Sequence, residues 1–166
     1  MPTAYQLKTV SSPVGKLYLV ADRHHLVGCF FNDGKMKTSF QGKPFTPGEN
    51  PVLRKAAAQL KEYFAGKRAR FSIPFRFEGT DFQKKVWKGL TRISFGETLS
   101  YRGLARKIGE HKAARAVGNA NGRNPICIIV PCHRVIAADG GMGGFTGGLD
   151  KKRKLLKLEQ IAIKAE

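Results

Sequence analysis

The sequence predicts an α+β fold, in which a small N-terminal β-sheet-plus-helix subdomain precedes a mostly α-helical C-terminal domain. Short β-prone runs, separated by turn residues, fill the first thirty positions. Apolar residues then recur at spacings of three and four after Pro51 and again after Thr80. The sequence contains no internal repeat and no low-complexity tail. Two domains are expected, over residues 1–75 and 80–163.

The N-terminal subdomain begins with three predicted strands, bounded by turn residues: Tyr5 to Val10, Lys16 to Ala21 and Leu26 to Phe31. Residues 35–50 are rich in Lys, Gly and Pro and predict a loop. Pro51 then opens an amphipathic helix, which Gly66 ends. Residues 67–80 lack periodicity and predict a linker between the subdomains.

Helices dominate the predicted C-terminal domain. Thr80 is suited to the N-cap of a first helix and Ser100 to that of a second, which Gly109 ends. Another short helical stretch runs from Lys112 to Asn121. Two short helices joined by a glycine-containing turn describe a helix-turn-helix over about 100–121.

An active-site strand and loop are predicted beyond this helix pair. The apolar run from Ile126 to Val130 is typical of a buried strand and leads into Pro131-Cys132-His133-Arg134. A glycine-rich loop follows from Asp139 to Gly148. The last helix is predicted to start near Asp150, as its N-cap, with an apolar stripe of Leu155, Leu156, Leu158 and Ile161.

The chain is strongly basic, with 30 Lys and Arg against 12 Asp and Glu and a net charge of +18. Such a protein usually meets a polyanion, because each phosphate that it neutralises releases condensed counterions. An anionic membrane surface, or a charge that serves only solubility, is the alternative. No apolar leader follows Met1 and no apolar run is long enough to span a bilayer, so a cytoplasmic location is expected.

The cysteines are Cys29, Cys127 and Cys132, an odd number that argues against a disulfide framework. No CxxC pair occurs, and the histidines have no ligand spacing with the cysteines, so neither a metal nor a cofactor is predicted. Cys127 is interpreted as a buried structural thiol. Cys132 has a proline before it and a histidine after it, and is the candidate nucleophile.

A working cysteine needs a neighbour that removes its proton, because the thiolate and not the thiol attacks. His133 is the adjacent base, and a bridging water is its expected link to Cys132, since sequence neighbours hydrogen-bond poorly. Glu159 is the candidate that orients the imidazole, unless it is a solvated carboxylate near Lys157. A structural thiol, or a Cys–His hydrolase of peptides or esters, also fits these residues.

The second helix of the pair is composed mainly of Ala and Gly, with Arg115 as the long cation among them. Base reading in a groove needs long polar side chains, whereas small residues let a helix backbone approach closely. The composition therefore predicts contacts with DNA shape and backbone more than sequence readout. The alternative is a small helix pair that belongs to the core.

The run Ile129-Val130-Pro131-Cys132-His133-Arg134-Val135-Ile136 resembles the active-site motif of the O6-alkylguanine-DNA alkyltransferases, the methylated-DNA–protein-cysteine S-methyltransferases. Further blocks resemble that family in the family's order: Phe82 to Trp87, Phe95 to Tyr101, Lys112 to Gly118, Gly147 to Leu149, and Glu159. The clear match covers about residues 80–160. The first 75 residues resemble the family only in size and in strand-then-helix order.

This resemblance implies direct-reversal DNA repair. A monomer without a cofactor would flip O6-alkylguanine, and also O4-alkylthymine, out of double-stranded DNA. By SN2 attack it would move the alkyl group irreversibly onto Cys132, once per molecule. A lesion sensor that binds without transferring is disfavoured because such proteins lack the cysteine, and the basic charge and the helix pair disfavour a hydrolase.

The resemblance also assigns roles to residues. Cys132 would be the nucleophile, His133 would take its proton through a water, and Glu159 would orient and charge that histidine. Tyr101 would donate toward the departing base. Lys152 corresponds to a family lysine close to the pocket.

The same resemblance implies a DNA-binding set and a substrate pocket. Arg115 would fill the gap left by the flipped base, and Asn124 would tie the helix-turn-helix to the catalytic loop. The remaining DNA-binding residues would be Tyr101, Arg102, Ala113 and Ala114, and the pocket would comprise Val135, Thr146, Phe145 and Met142. Phe145 stands where some relatives have tyrosine, and the N-terminal part lacks the zinc ligands that some relatives carry.

Overall fold

The computed structural model describes residues 5–40, 43, 45–145 and 147–160, and the chain divides into two compact units. One unit takes in the chain up to Glu78 together with Pro125–Ile129. The other takes in Gly79–Asn124 together with the chain from Val130 onward. The predicted α+β class is confirmed, since a mixed sheet lies in the first unit and most helices lie in the second.

The first unit is built on a four-stranded sheet of order β3-β2-β1-β4, whose strands are β1 (Tyr5–Val10), β2 (Leu17–Ala21), β3 (Leu26–Phe30) and β4 (Phe45–Pro47). The first three strands pair antiparallel as a meander, and β4 pairs parallel to β1. These three are the predicted strands, within one residue at each end.

Two helices, α1 (Asp33–Phe40) and α2 (Pro51–Phe64), complete this unit. The side chain of Asn50 caps α2 by accepting from the Leu53 amide at 2.8 Å, and Pro51 suits the first helical position because its missing N–H needs no partner there. α2 packs on β2 and β3. An apolar cluster joins α1 to the sheet and comprises Tyr5, Val20, Val27, Phe30, Met36 and Phe40.

The loop predicted over 35–50 is wrong in two places: α1 extends into it, and β4 lies within it. α1 offers little apolar periodicity, with Met36 and Phe40 as its buried apolar residues. The helix therefore depends on packing against the sheet more than on its own pattern, and tertiary packing of this kind is invisible to local periodicity.

The second unit carries the remaining elements: α3 (Asp81–Leu90), β5 (Leu99–Ser100), α4 (Tyr101–Lys107), α5 (Ala114–Gly122), a 3-10 turn (Cys132–Arg134), β6 (Val135–Ile136) and α6 (Leu149–Leu158). β5 and β6 form a short parallel pair. Both predicted N-caps are confirmed. Thr80 forms a capping box with Gln83, and the hydroxyl of Ser100 accepts from the Gly103 amide at 2.9 Å.

α4 and α5 form the predicted pair of short helices, separated by residues 108–113. Gly109 has a φ of +78°, which lets the chain turn sharply after α4. α3 packs against both helices, and the indole Nε1 of Trp87 donates to the carbonyl of Ala120 at 2.8 Å in the buried interface. The position of α5 is therefore held by both packing and a buried hydrogen bond.

The strand predicted over Ile126–Val130 is wrong as an element, although the segment is largely buried as expected. It makes a single β-bridge, to Cys29, and then turns. Ile128 has a φ of +73°, outside the extended region, and the Ile129 amide donates to the Cys127 carbonyl at 2.8 Å. An unbroken apolar run reports burial, and burial does not require extension.

The N-cap of α6 lies two residues earlier than predicted. Gly148, with a φ of +102°, occupies the N-cap position that was expected of Asp150, which instead lies exposed in the first turn. Ile161 of the predicted stripe lies outside the described residues. Every helix in the described ranges, α6 included, is too short or too polar to cross a bilayer.

Candidate active site and nucleic-acid interface

Cys132 opens the 3-10 turn and is 4% exposed. Its amide donates to the Val130 carbonyl at 2.9 Å. Two asparagines from the end of α5 and just beyond it hold the same backbone: Asn124 Nδ2 donates to the Val130 carbonyl at 2.8 Å, and Asn121 Nδ2 donates to the Cys132 carbonyl at 3.4 Å. The peptide that carries the thiol is thus tied directly to the helix pair.

His133 and Glu159 form a buried pair beside this cysteine. Their Nε2 and Oε2 atoms are 2.8 Å apart, and the two side chains have no solvent exposure. Glu159 occupies the C-cap position of α6, whereas Lys157 is exposed. The reading of Glu159 as a solvated carboxylate near Lys157 is therefore wrong.

Arg134 completes a buried triad and had no predicted role. Its Nε lies 2.8 Å from Oε1 and its Nη2 lies 3.1 Å from Oε2 of Glu159, which is a bidentate arrangement. Nη1 donates to the Ile93 carbonyl at 2.6 Å, and the guanidinium lies 5.7 Å from the Phe95 ring centre. A buried carboxylate needs a cation, and this arginine beside His133 in the motif was the available signal.

The protonation of His133 follows from its surroundings. Burial is the largest effect and lowers the pKa of His133 below 6.5; Arg134 and Lys152 lower it further, while Glu159 opposes them. We assign the neutral imidazole, with Nε2–H donating to the Glu159 carboxylate that Arg134 holds. Nδ1 is then an acceptor, buried and without a protein partner among the described residues. Chemically, it is placed to receive a proton.

Tyr101 is the first residue of α4 and lies half-buried. Its hydroxyl donates to the Gly144 carbonyl at 3.4 Å. Burial raises the pKa of Tyr101, the hydrogen bond to Gly144 lowers it, and charge on Cys132 raises it. The phenol therefore stays protonated when the neighbouring thiol loses its proton, and it remains able to donate one.

Lys152 is fully buried on α6 and hydrogen-bonds to the backbone that follows the 3-10 turn. Its Nζ donates to the carbonyl of Val135 at 2.7 Å and to that of Gly144 at 3.0 Å, and lies 5.9 Å from the Phe145 ring centre. Val135 and Met142 are buried and Phe145 is half-buried. These contacts bring Lys152 next to two of the predicted pocket residues, Val135 and Phe145.

The glycine-rich loop contains a further site residue, Gly143. Its φ is +67°, and a Cβ at this position would lie 3.0 Å from the Tyr101 hydroxyl. Only glycine meets both conditions without strain. The clustering of glycines in the sequence indicated a special loop but could not say which one faces Tyr101. Thr146, predicted for the pocket, lies outside the described residues.

The α4–α5 pair presents the predicted DNA-binding residues. Arg102 and Arg115 are exposed, while Ala113 and Ala114 are half-buried at the start of α5. Gly118 lies against the Tyr101 ring, where a Cβ would make an ordinary contact at 3.5 Å. Small residues on this surface leave room for close approach, and the exposed arginines suit contact with a phosphate backbone.

The described part of the chain contains no cluster of three or more His, Cys, Asp or Glu residues suited to hold an ion. None of the three cysteines is in a disulfide: Cys29 is buried and Cys127 is half-buried. Cys127 is therefore less buried than predicted. The side chains at this site are of the types that transfer protons and attack as nucleophiles.

Two family models together match most of the chain. Residues 81–161 match the 6-O-methylguanine DNA methyltransferase, DNA binding domain. Residues 6–77 match the 6-O-methylguanine DNA methyltransferase, ribonuclease-like domain. The N-terminal part, for which the sequence suggested only a general likeness, thus has its own family match.

Similar proteins agree with these models. The chain is 47% identical over 152 residues to the methylated-DNA–protein-cysteine methyltransferase of Methanosarcina barkeri, a match that covers 91% of this chain and 94% of the relative. It is 44% identical to Mycobacterium tuberculosis O6-methylguanine methyltransferase, whose crystal structure superposes with a TM-score of 0.84 and coverages of 94% and 93%. The crystal structure of Mycobacterium tuberculosis OGT in complex with DNA gives a TM-score of 0.83 at 44% identity, with coverages of 95% and 92%.

Proposed function

The chain belongs to the 6-O-methylguanine DNA methyltransferase family, and from this membership we propose that it repairs DNA by moving the alkyl group of O6-alkylguanine onto its own Cys132. The observation that carries the proposal is the buried Glu159–His133 pair directly beside Cys132. An acid, a base and a nucleophile in this order are what activation of a thiol requires.

The first step in this proposal is loss of the thiol proton. The proton leaves the sulfur of Cys132 and reaches Nδ1 of His133 through a water, and Glu159 stabilises the imidazolium that forms. Arg134 keeps the carboxylate ionised through two hydrogen bonds. Because the pKa of His133 is lowered by burial, the imidazole is neutral and ready to accept at neutral pH.

The second step is alkyl transfer. The Cys132 thiolate attacks the alkyl carbon, a carbon–sulfur bond forms, and the carbon–O6 bond breaks with its electron pair left on guanine. Tyr101, which its raised pKa keeps protonated, supplies a proton to the departing base. Lys152 holds the backbone of the proposed pocket in place by donating to the Val135 and Gly144 carbonyls. O4-alkylthymine presents the same kind of bond and is a second proposed substrate.

DNA engagement in this proposal uses the α4–α5 pair. The small residues at the start of α5, Ala113 and Ala114, allow a close backbone approach, and Arg102 adds a positive charge on α4. The target base must flip out because O6 is inaccessible inside the stack. Arg115 enters the space that the base leaves. Asn124 links this helix pair to the backbone before Cys132.

Each molecule acts once in this scheme, because the product is a stable thioether and none of the proposed steps restores the thiol. The protein should thus behave as a stoichiometric reagent that needs no cofactor. We also propose that it works as a monomer on duplex DNA.

Mass spectrometry tests the proposal. After incubation with a duplex oligonucleotide that contains O6-methylguanine, the peptide with Cys132 should gain about 14 Da, the mass of one methyl replacing hydrogen, because the sulfur is the nucleophile. Cys132→Ser should bind the same duplex and gain no mass.

Three outcomes separate the alternatives. Lesions that remain intact with an unmodified Cys132 contradict alkyl transfer. Binding of the lesion without transfer by the wild-type chain supports a sensor instead. Product formation that continues beyond one equivalent supports a hydrolase, since a thioether product ends the reaction after one turnover.

A further inference from the structure

Asn121 is a buried polar residue beside the thiol, and the mechanism above gives it no part. It lies in the last turn of α5 and is 4% exposed. Its Nδ2 donates to the Cys132 carbonyl at 3.4 Å. Its Oδ1 is buried and has no hydrogen-bond partner among the described residues.

A second unsatisfied buried atom belongs to His133, the residue that follows Cys132. Among the side-chain nitrogens and oxygens of the described residues, only Asn121 Oδ1 and His133 Nδ1 are buried without a hydrogen-bond partner. Buried polar atoms without partners are rare because each one forfeits the hydrogen bond that it had in water. Both side chains are next to Cys132: the Asn121 amide donates to the Cys132 carbonyl, and His133 follows Cys132 in the sequence.

The two atoms have the same hydrogen-bonding character. Asn121 Oδ1 is an acceptor, and His133 Nδ1 is an acceptor in the neutral tautomer whose Nε2–H donates to Glu159. Two acceptors cannot satisfy each other. A water molecule has two O–H donors and two lone pairs, so one water can satisfy both and still accept from a thiol.

We propose that Asn121 is a positioning residue for proton removal, whose Oδ1 holds the water that carries the Cys132 proton to His133. The proposal rests on the proposed alkyl transfer and adds a residue to it. With one hydrogen committed to Oδ1, the water directs its other hydrogen to Nδ1 and a lone pair to the thiol. The S–H bond then breaks as the water oxygen gains that proton, and the water passes its Nδ1-directed proton to the imidazole.

Several charged or titratable groups surround this path and are common to the wild type and to the variants tested below. Glu159 at the end of α6 faces Nε2, Arg134 holds that carboxylate, and Lys152 acts on His133 from α6. Tyr101 on α4 is close enough for the charge on Cys132 to raise its pKa. Asn121 carries no charge, so its replacement changes the hydrogen bonding of the path and leaves these charges in place.

The test compares the wild type with Asn121→Leu, which keeps the side-chain shape and removes both polar atoms. Single-turnover methyl transfer from an O6-methylguanine duplex is measured from pH 6 to 10. At pH 7 the variant should transfer at least about tenfold more slowly, since a positioned base contributes on the order of 100-fold or more. The deficit should shrink above about pH 8.5, where hydroxide forms the thiolate without the relay. Asn121→Ala replaces Asn121→Leu if the latter does not fold.

Duplex affinity, measured in parallel, should stay within about threefold of the wild type, because Asn121 is buried and faces Cys132. A crystal structure of the wild type at high resolution should contain a water bonded to both Oδ1 and Nδ1. The inference is overturned by wild-type rates in the variant, by a deficit equal at every pH, or by the lack of that water. If the wild type itself transfers no methyl group, the proposed function has failed instead.

Discussion

His133 is fully buried and is surrounded by one carboxylate and two cations. Burial, Arg134 and Lys152 together outweigh Glu159, and the pKa of His133 falls below its ordinary value of 6.5. A depressed pKa favours the role of proton acceptor, since the base form is already present at neutral pH. The contribution of Glu159 is to orient the ring and to stabilise the charge after transfer.

The first prediction concerns the pH dependence of transfer. Protonation of His133 removes the acceptor, so the single-turnover rate should fall only as the pH drops through the lowered pKa of His133, below 6.5. Stability should follow the same direction: it is fully present above pH 6.5 and is lost as the pH falls, because the unfolded chain binds the proton first. Stopped-flow transfer assays with duplex binding measured at each pH provide the check. An acid limb centred above pH 6.5 would show that the pKa of His133 is raised and would contradict this prediction.

Arg134 is the counter-ion of a carboxylate that has no exposure. Removing one partner of a buried ion pair leaves an uncompensated charge, so Arg134→Met should lower the free energy of unfolding by about 3–5 kcal/mol. The matched control is Arg68→Met, whose pair with Glu62 is solvent-exposed and should be worth less than about 1 kcal/mol. Urea denaturation of the three proteins measures both effects. Equal losses in the two variants would contradict the central role of Arg134.

At the scale of elements, α5 joins two parts of the proposed chemistry. Arg115 near its start is exposed, and its last turn holds Asn121 against the Cys132 carbonyl. The buried bond from Trp87 to Ala120 fixes the same end of the helix on α3. A helix held in this way can approach DNA and position the reactive peptide together.

Arg115→Ala should slow transfer on duplex substrate by about tenfold or more, because a flipped base costs a few kcal/mol in lost stacking and pairing that the arginine would offset. On a single-stranded substrate, where little stacking is lost, the deficit should shrink to about twofold. Arg70→Ala, which removes an exposed arginine in the first unit, controls for net charge. Wild-type rates for Arg115→Ala on duplex DNA would be incompatible with the proposed role.

Elements whose signals are local could be predicted from the sequence. Thr80 and Ser100 cap α3 and α4 as expected, because an N-cap depends on a side chain and an amide three residues away. Elements that depend on distant packing could not: α1 is stabilised against the sheet by Met36 and Phe40. The apolar run after Asn124 indicated burial correctly but could not indicate its turns.

The candidate site was predictable to a similar degree. The motif made Cys132 and His133 candidates. Glu159 was a candidate from its place in the last helix and again from the family resemblance, but no spacing could have shown its contact with His133 across 26 positions. Arg134 and Asn121 were missed because their importance lies in what they contact. The pairing of a buried carboxylate with its cation becomes visible only when side chains are placed in space. The same is true of a buried amide whose oxygen has no hydrogen-bond partner.

Charge dominates at the scale of the whole molecule. A net charge of +18 on 166 residues gives attraction to any phosphate backbone, whether or not it contains a lesion. In the proposed function, recognition of the lesion comes from the buried site around Cys132, and the overall charge attracts the protein to DNA of any sequence. These two contributions differ in their dependence on salt, since screening acts on exposed charges far more than on buried contacts.

Duplex affinity should fall steeply with salt for this reason. If about six phosphates are neutralised, log K should fall with log salt at a slope of about −5, or roughly 10³-fold between 50 and 200 mM. Fluorescence anisotropy with an undamaged duplex measures the slope, and Cys132→Ser, which leaves the charge unchanged, should reproduce it. Transfer from the free base O6-methylguanine, which has no phosphate, should change little over the same range because it engages only the buried site. A duplex slope shallower than about −2 would mean that two or fewer phosphates are neutralised, and the basic surface would then need another explanation.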